Sequence, residues 1–180
     1  MAKKVLVIST SLRNHSNSEM LADSLTEGAR AAGNTVETIS LKDKQIGFCK
    51  GCLACQQRQK CVIQDDAIEI AEKMKRAEVI VFATPIYYYE MSGQMKTLLD
   101  RANSLYPSDY AFRDIYLLSS AAEGEEGTDA GAIHGLEGWI ACFEKARLAG
   151  TVFAGGADEA GKIKGHPSLK KAYDMGAGIK

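Results

Sequence analysis

The sequence lacks an excess of charge of either sign, and it lacks a long hydrophobic run. Its 180 residues include 22 Lys and Arg against 23 Asp and Glu, which gives a formal net charge of −1. Balanced charge gives no electrostatic reason to expect nucleic acid or an anionic membrane as a partner. No window approaches the roughly eighteen apolar residues that a membrane span requires. We therefore expect a protein that binds neither nucleic acid nor a membrane.

A secretory leader is also missing from the opening residues. The stretch MAKKVLVIST has two lysines but only a short apolar run, whereas a secretory signal needs a longer run followed by small residues. The sequence thus predicts a cytoplasmic protein whose thiols stay reduced. In a reducing compartment, clustered cysteines indicate metal binding or redox chemistry rather than a disulfide framework.

Internal repeats, low-complexity tracts and linkers are absent too. A chain of 180 residues can bury a sizeable core but is short for two domains. Its content of 46% hydrophobic and 25% charged residues is ordinary for a globular protein. The sequence predicts a single domain over residues 1–180.

What the chain does have is a regular alternation of short apolar runs and helical periodicity, which predicts an α/β fold with a parallel sheet covered on both faces. Five strands in a chain of this length favour the flavodoxin-like order 2-1-3-4-5, a three-layer sandwich. A ligand then lies beyond the carboxyl ends of the strands, where the strand order reverses. Strands are predicted at 3–9, 35–41, 78–85, 113–120 and 150–156, and helices at 18–33, 65–77, 92–105, about 130–148 and 167–176.

The loop after the first predicted strand, STSLRNHSNSEML (9–21), is rich in hydroxyl and amide side chains. It runs directly into a helix, whose N-terminus offers free N–H groups and a partial positive charge, and Arg13 adds a cation. These features favour phosphate binding, although a plain polar loop with a helix cap has the same composition. No G-x-G-x-x-G or G-x-x-x-x-G-K-[ST] motif is present, so neither a dinucleotide fingerprint nor a triphosphate loop is supported.

The loop after the third predicted strand places three tyrosines beside Pro85. Aromatic side chains at the edge of a sheet serve as core or lid packing, or as a wall for a flat aromatic ligand. Both interpretations stay open from the residues alone.

Together, the patterns S-x-R-x-x-S-N-S and T-P-I-Y-Y-Y-x-M-S-G-Q-M-K-x-L-L-D-R resemble the NADPH-dependent FMN reductase family of flavodoxin-like proteins. The resemblance extends clearly over residues 3–120 and implies FMN as cofactor. It implies phosphate contacts, ring and ribityl contacts, and a closing loop, although many relatives have glycines in that loop. The residues concerned are Ser11, Arg13, Ser16, Asn17 and Ser18 for the phosphate, Pro85, Ile86, Tyr87 and Tyr88 for the ring and ribityl chain, and Ser119, Ser120 and Ala121 for the closing loop.

Four of the five cysteines lie within thirteen residues, as Cys49, Cys52, Cys55 and Cys61. Their spacing, C-x2-C-x2-C-x5-C, resembles the compact motif of iron–sulfur flavoproteins, a branch of the same family, and implies a [4Fe–4S] cluster. The equal spacing favours a cluster over zinc, which more often takes two separated C-x-x-C pairs. Free thiols, a redox-switched pair and zinc remain alternatives. Cys142 is predicted to be an inert core residue of an apolar helix.

The resemblance implies an FMN-dependent oxidoreductase that takes electrons from NAD(P)H and passes them to a quinone, a flavin or an iron–sulfur acceptor. That acceptor is a small molecule or a protein, and the chain forms a homodimer or homotetramer. No acid–base residue is predicted to be catalytic, because the histidines are isolated. One alternative is a non-enzymatic electron carrier with FMN and a [4Fe–4S] cluster. Another is a flavin-free regulatory or thiol-switch protein on the same scaffold.

Overall fold

The apolar runs of the sequence form one sheet of six strands in the computed structural model, which describes residues 1–180. Five strands are parallel in the order β2-β1-β3-β5-β6, and the short β4 pairs antiparallel with β3. Without β4, this is the predicted flavodoxin-like order, which is confirmed. The strands are β1 Lys4–Ser9, β2 Thr35–Ser40, β3 Val79–Tyr87, β4 Glu90–Met91, β5 Asp114–Ser120 and β6 Arg147–Ala154.

Six α-helices and one 3₁₀ turn connect the strands, and none of the helices has the length and apolar character needed to cross a membrane. They are α1 Asn17–Ala31, α2 Ala54–Arg58, α3 Ala67–Arg76, α4 Gly93–Arg101, the 3₁₀ turn Ala102–Leu105, α5 Ala130–Ile140 and α6 Pro167–Ala177. The short helix α2 was not predicted. The remaining helices match predicted segments within a few residues, apart from the end of α5.

The helix predicted for about 130–148 ends early, at Ile140. A turn follows, in which the Phe143 N–H donates to the Ile140 carbonyl, and Phe143 packs against the Trp139 ring in an aromatic cluster. The prediction for Cys142 was wrong, because this turn leaves the thiol exposed. Helical periodicity predicted that Cys142 faces the core. In the structure the turn buries Phe143 and directs Cys142 to the surface.

The sheet is buried on both faces because its central strands carry apolar residues at every position. Leu6 and Ile8 of β1 face one core, whereas Val5 and Val7 face the other. A strand that alternates between two cores needs a continuous apolar run, which is the pattern the sequence shows.

Helices α1 and α6 pack backbone against backbone on one face of the sheet. A Cβ atom at Gly28 would lie 2.0 Å from the Tyr173 carbonyl oxygen, and one at Gly176 would lie 2.1 Å from the Leu25 carbonyl oxygen. Real Cβ atoms do not come so close, so both positions require glycine. This contact fixes α1, whose N-terminal end faces the candidate site.

Candidate functional site

A cavity of about 390 Å³ lies beyond the carboxyl ends of β1, β3, β5 and β6, where the strand order reverses. Its volume is within the range of small-molecule sites. We call it the switch-point cavity. It brings together most of the residues predicted to hold a cofactor, namely Ser11, Arg13, Ser16, Asn17, Ser18, Pro85, Ile86, Tyr87, Tyr88 and Ser120.

The N-terminus of α1 forms one wall of this cavity. Ser16 is the N-cap residue, and its Oγ accepts a hydrogen bond of 3.2 Å from the Glu19 N–H. The other N–H groups of the first turn have no partner within the helix, and together with the helix dipole they favour an anion. The Arg13 side chain is held at the same wall of the cavity, because its Nη1 donates to the Asp158 carbonyl at 3.1 Å.

Asn17 is used differently from the phosphate contact that was predicted. Its buried Nδ2 donates to the carbonyls of Ala157 (3.0 Å) and Glu159 (2.7 Å), while its Oδ1 accepts from the Ile163 N–H. The Asn17 amide therefore holds the segment after β6.

The segment after β6 was not identified from the sequence as part of the site. The structure places Ala157, Asp158 and Ala160 on the wall of the switch-point cavity, next to α1. Its position could have identified it from the sequence, since it follows the carboxyl end of the last parallel strand.

A buried hydroxyl cluster joins the loops after β1 and β3. Thr10 Oγ1 lies 3.0 Å from Ser92 Oγ, and Thr84 Oγ1 donates to Ser92 Oγ at 3.2 Å. Ser92 is the N-cap of α4, where its Oγ accepts from the Met95 N–H. These bonds fix the two loops relative to each other, so the cavity walls are held before any ligand binds.

The three tyrosines form a strained hairpin rather than a simple loop. Tyr87 pairs with Glu90, which leaves Tyr88 and Tyr89 as a two-residue turn, with φ values of 51° and 65°. Positive φ at both central residues is the type I′ geometry, in which Asn and Gly are preferred and bulky residues are strained. Tyr88 is 98% exposed. Backbone strain at a cavity rim makes this turn a candidate functional element.

The closing loop after β5 is only partly on the cavity. Ser119 is fully buried, and its Oγ donates to Asp129 Oδ2 at 2.6 Å. Ala121 is buried as well, with its N–H donating to the Ala154 carbonyl. Neither lines the cavity, whereas Ser120 does, together with Ala122 and Glu123. Ser119 and Ala121 therefore lie behind the cavity wall, and their contacts with a cofactor stay predictions.

The cysteine loop, residues 42–66, connects β2 to α3, and none of its residues is buried. Leu53 and Gln59, on either side of α2, have left-handed backbone conformations, with φ of 56° and 51°. Its four thiols line one small cavity of about 30 Å³. In this arrangement no three His, Cys, Asp or Glu side chains are positioned to hold a metal ion.

Near the end of the cysteine loop, Asp65 forms an ion pair with the buried Arg101 of α4, at 2.6 Å between Nη1 and Oδ2. Burial by itself would raise the pKa of Asp65. The hydrogen bonds from Arg101 and from the N–H groups of Gly47 and Ala67 more than offset this, so its pKa is below the ordinary value. The carboxylate is therefore held in its charged form.

The fold and the cavity define a flavodoxin-like α/β protein with a cavity at the switch point of its parallel sheet. The sequence matches the family described as NADPH-dependent FMN reductase over residues 3–142, and the chain belongs to that family.

Iron–sulfur flavoproteins are among the relatives similar to this chain. One from Methanosarcina thermophila is 28% identical over 173 residues, which cover 96% of this chain and 87% of the relative. One from Methanocaldococcus jannaschii is 39% identical over 102 residues, 57% of this chain and 53% of the relative. The second match thus spans about half of that protein.

Solved structures support the fold. The chain is similar to an NAD(P)H:quinone oxidoreductase from Methanothermobacter marburgensis, with a TM-score of 0.75, 18% identity and full coverage of both chains. It is also similar to an azoreductase from Bacillus anthracis, with a TM-score of 0.74, 14% identity and coverage of 99% and 100%. At such identities the likeness shows the shared architecture alone.

Proposed function

We propose that this chain is an FMN-dependent oxidoreductase that takes electrons from NAD(P)H and passes them to a quinone, a flavin or an iron–sulfur acceptor. The observation that supports this most is the switch-point cavity, which joins a helix N-terminus and Arg13 on one side to a tyrosine hairpin on the other. A phosphate and a flat ring on one ligand match these two walls. Bound FMN would supply hydride acceptance and electron transfer, chemistry that no side chain provides.

The residues of the chain fit this cofactor. Ser11, Ser18 and the first turn of α1 offer uncharged donors to a phosphate, and Arg13 offers a charged one. Pro85, Ile86 and Tyr87 offer an apolar edge for the ring. The hydroxyl cluster around Ser92 holds the two sides at a fixed separation.

The phosphate contact is tested by Arg13→Ala, with Arg76→Ala as the matched control. Arg76 is a surface residue whose guanidinium pairs with Glu72 on the same helix, away from the cavity. A hydrogen bond to a charged group contributes about 1.5–3 kcal/mol, so Arg13→Ala is expected to raise the FMN Kd at least about tenfold. Titration followed by flavin fluorescence measures this. Equal affinity in both variants would contradict the assignment.

Donor and acceptor are expected to use the same open side of the cavity in turn. The sequence has no dinucleotide-binding fingerprint, so NAD(P)H would have to use the open side of the cavity beside the exposed Tyr88 and leave before the acceptor enters. Steady-state kinetics are then ping-pong, with parallel double-reciprocal lines. Slow reduction by NAD(P)H in stopped-flow, with fast exchange with a ferredoxin-like protein, would favour the non-enzymatic electron carrier instead.

We further propose that the four cysteines bind a [4Fe–4S] cluster. Two observations support this proposal: the four thiols line one cavity, and their spacing lets neighbouring thiolates reach one inorganic core. A cavity of about 30 Å³ has room for little more than bound water, so a cluster requires the loop to move outward. The absence of buried residues between 42 and 66 means that little packing opposes this movement.

Iron and flavin assays on protein purified without oxygen test the cluster. We expect about four irons per chain and an absorption shoulder typical of thiolate-ligated iron. Cys55→Ser is expected to lose the iron, whereas Cys142→Ser, on the exposed turn after α5, is the matched control and keeps it. Flavin without iron would assign the loop to thiol chemistry or packing.

A further inference from the structure

We propose that a groove beside the switch-point cavity holds the adenosine 2′-phosphate end of NADPH, so that the protein prefers NADPH to NADH as its electron donor. The inference deepens the function proposed above and rests on it, because it concerns the same donor. It adds a binding site outside the switch-point cavity and names the charged group that this site recognises.

The groove lies between the loop after β1, the start of the cysteine loop and helix α4, and its volume is about 590 Å³. We call it the lysine groove. Its volume is within the range of small-molecule sites and exceeds that of the switch-point cavity. Its lining combines apolar and cationic side chains, the main ones being Leu12, Leu41, Lys42, Lys44, Phe48 and Lys96.

Positive charge dominates the lysine groove. Its three lysines face a single carboxylate, that of Asp100, which pairs with Lys96 at 2.7 Å. Lys44 Nζ lies 3.7 Å from a carboxylate oxygen outside the groove, and the Lys42 ammonium donates to the neutral amide oxygen of Asn14. Two lysines therefore lack a close counter-charge within the groove. A phosphate monoester, with a charge of about −1.5 to −2 at neutral pH, matches them.

Exposed apolar side chains line the same groove. Phe48 is 82% exposed and Leu12 is 49% exposed, although such side chains are usually buried. Leu41 is buried and Ile46 is half-buried, so the groove has apolar surface at depth as well as at its rim. A flat ring can stack on Phe48 while an anionic substituent contacts the lysines. An adenosine that carries a phosphate combines these two features.

The lysine groove and the switch-point cavity share their walls. Ser11 and Arg13 line the cavity, whereas Leu12 between them lines the groove. Consecutive Cα atoms are about 3.8 Å apart, so a single segment of backbone separates the two sites here. On the other side, the tyrosine hairpin of the cavity leads into Gly93 of the groove. A donor that lies beside Tyr88 therefore has the groove next to it for its other end.

The groove does not depend on the position of the cysteines. The segment before the first cysteine is held from the far end of the loop, since the Gln45 N–H donates to Asp66 Oδ2 at 2.6 Å. The Gly47 N–H likewise donates to Asp65 Oδ2 at 2.9 Å. Movement of the thiol-bearing residues that follow therefore leaves the lysines in place.

Direct binding tests the phosphate contact, in protein saturated with FMN so that the switch-point cavity is occupied. Adenosine 2′,5′-bisphosphate is expected to bind at least about tenfold tighter than adenosine 5′-monophosphate, because only the former carries the 2′-phosphate. The double variant Lys42→Ala and Lys44→Ala is expected to shrink this difference severalfold. The control is Lys171→Ala, which changes an exposed lysine of α6 outside both sites. Isothermal titration calorimetry measures the dissociation constants.

Donor preference tests the assignment to NADPH. The ratio of kcat/KM for NADPH to that for NADH is expected to fall at least about tenfold in the double variant and to stay unchanged in Lys171→Ala. Phe48→Ala is expected to raise KM for both donors by the same factor, because ring stacking does not distinguish them. Its control is Val62→Ala, an exposed apolar residue of the cysteine loop outside the groove.

The outcomes separate this inference from the proposed function. Equal kcat/KM for the two donors, or equal affinity for the two adenosine phosphates, overturns the inference alone. Bound FMN that neither donor reduces overturns the proposed function, and NADPH as the occupant of the groove with it. If the double variant does not fold, the single variants Lys42→Ala and Lys44→Ala decide by the same ratio.

Discussion

The switch-point cavity and the cysteine loop are built in opposite ways. Buried polar groups with internal hydrogen-bond partners surround the cavity; Thr10, Asn17, Thr84, Ser92 and Ser119 are examples. The cysteine loop has no buried residue from Lys42 to Asp66. Its main attachment to the body of the protein is the pair between Arg101 and Asp65.

This difference shows which site the fold determines by itself. The register of parallel strands brings the loops of the cavity together, and hydrogen bonds between them fix its shape. The cysteine loop instead depends mainly on one ion pair, since it has almost no apolar burial to hold it. Changes to the ion pair are thus expected to affect the loop alone.

Asp65→Asn is expected to give the largest difference in effect between the cysteine loop and the switch-point cavity. It leaves the buried Arg101 guanidinium without its counter-charge, and breaking one side of a buried pair costs about 3 kcal/mol. The loop is expected to become sensitive to limited proteolysis while FMN affinity stays. The control is Asp174→Asn, which breaks an exposed pair with Lys170 and costs less than about 0.5 kcal/mol. Loss of FMN binding in Asp65→Asn would show that the regions are not independent.

Gly28→Ala tests the switch-point cavity through the packing of α1. The new Cβ would overlap the Tyr173 carbonyl, so α1 must shift away from α6, at an expected cost of about 2–3 kcal/mol in the free energy of unfolding. Because the start of α1 forms the cavity wall, FMN affinity is expected to fall as well. Gly138→Ala is the control, since no atom lies near its Cβ position. Urea denaturation compares them, and equal stability would mean that the close helix contact does not constrain α1.

The tyrosine hairpin offers a sharper test of the cavity rim. Replacing Tyr88 with Asn and Tyr89 with Gly supplies the residues that a type I′ turn prefers, so the protein is expected to gain about 1–2 kcal/mol of stability. The same change removes the aromatic rim, and KM for NAD(P)H is expected to rise. Thermal denaturation and initial rates measure the two effects. A more stable variant with unchanged kinetics would show that the strain has no role in substrate binding.

The smallest expected effect is the pH dependence of the loop. The pKa of Asp65 is depressed in the folded protein, so its stabilising contribution is fully present above its ordinary pKa. That contribution is lost as the pH falls through the lower pKa of the folded state. The stability difference between wild type and Asp65→Asn is therefore expected to shrink on acidification. Urea midpoints of both proteins from neutral to acid pH measure it, and a constant difference would contradict the assignment.

The sheet order could be predicted because each central strand is a continuous apolar run, and the crossover rules leave few arrangements. Ser11, Arg13 and Tyr87 could be predicted as cavity residues for the same reason, as they follow the carboxyl ends of strands. The segment around Asp158 could not, because its contribution depends on contacts with α1 more than a hundred residues earlier.

The role of Arg101 was equally hidden from the sequence. In the run TLLDRAN a charged residue is expected on the exposed face of a helix, whereas Arg101 is buried by its contacts with residues 47, 63 and 65. Likewise, the turn at Tyr88 depends on the pairing of Tyr87 with Glu90, which composition does not reveal. Long-range pairing of polar groups determines both features.

Helix α4 connects the switch-point cavity to the cysteine loop. Its N-cap, Ser92, belongs to the hydroxyl cluster of the cavity, and its last residue, Arg101, holds the cysteine loop. Nine residues at about 1.5 Å each span about 13 Å. One helix therefore sets the separation of the two regions within the chain. Insertion or deletion of a residue in α4 would change that separation and rotate one site about the helix axis relative to the other, so the length of this helix is constrained at both ends.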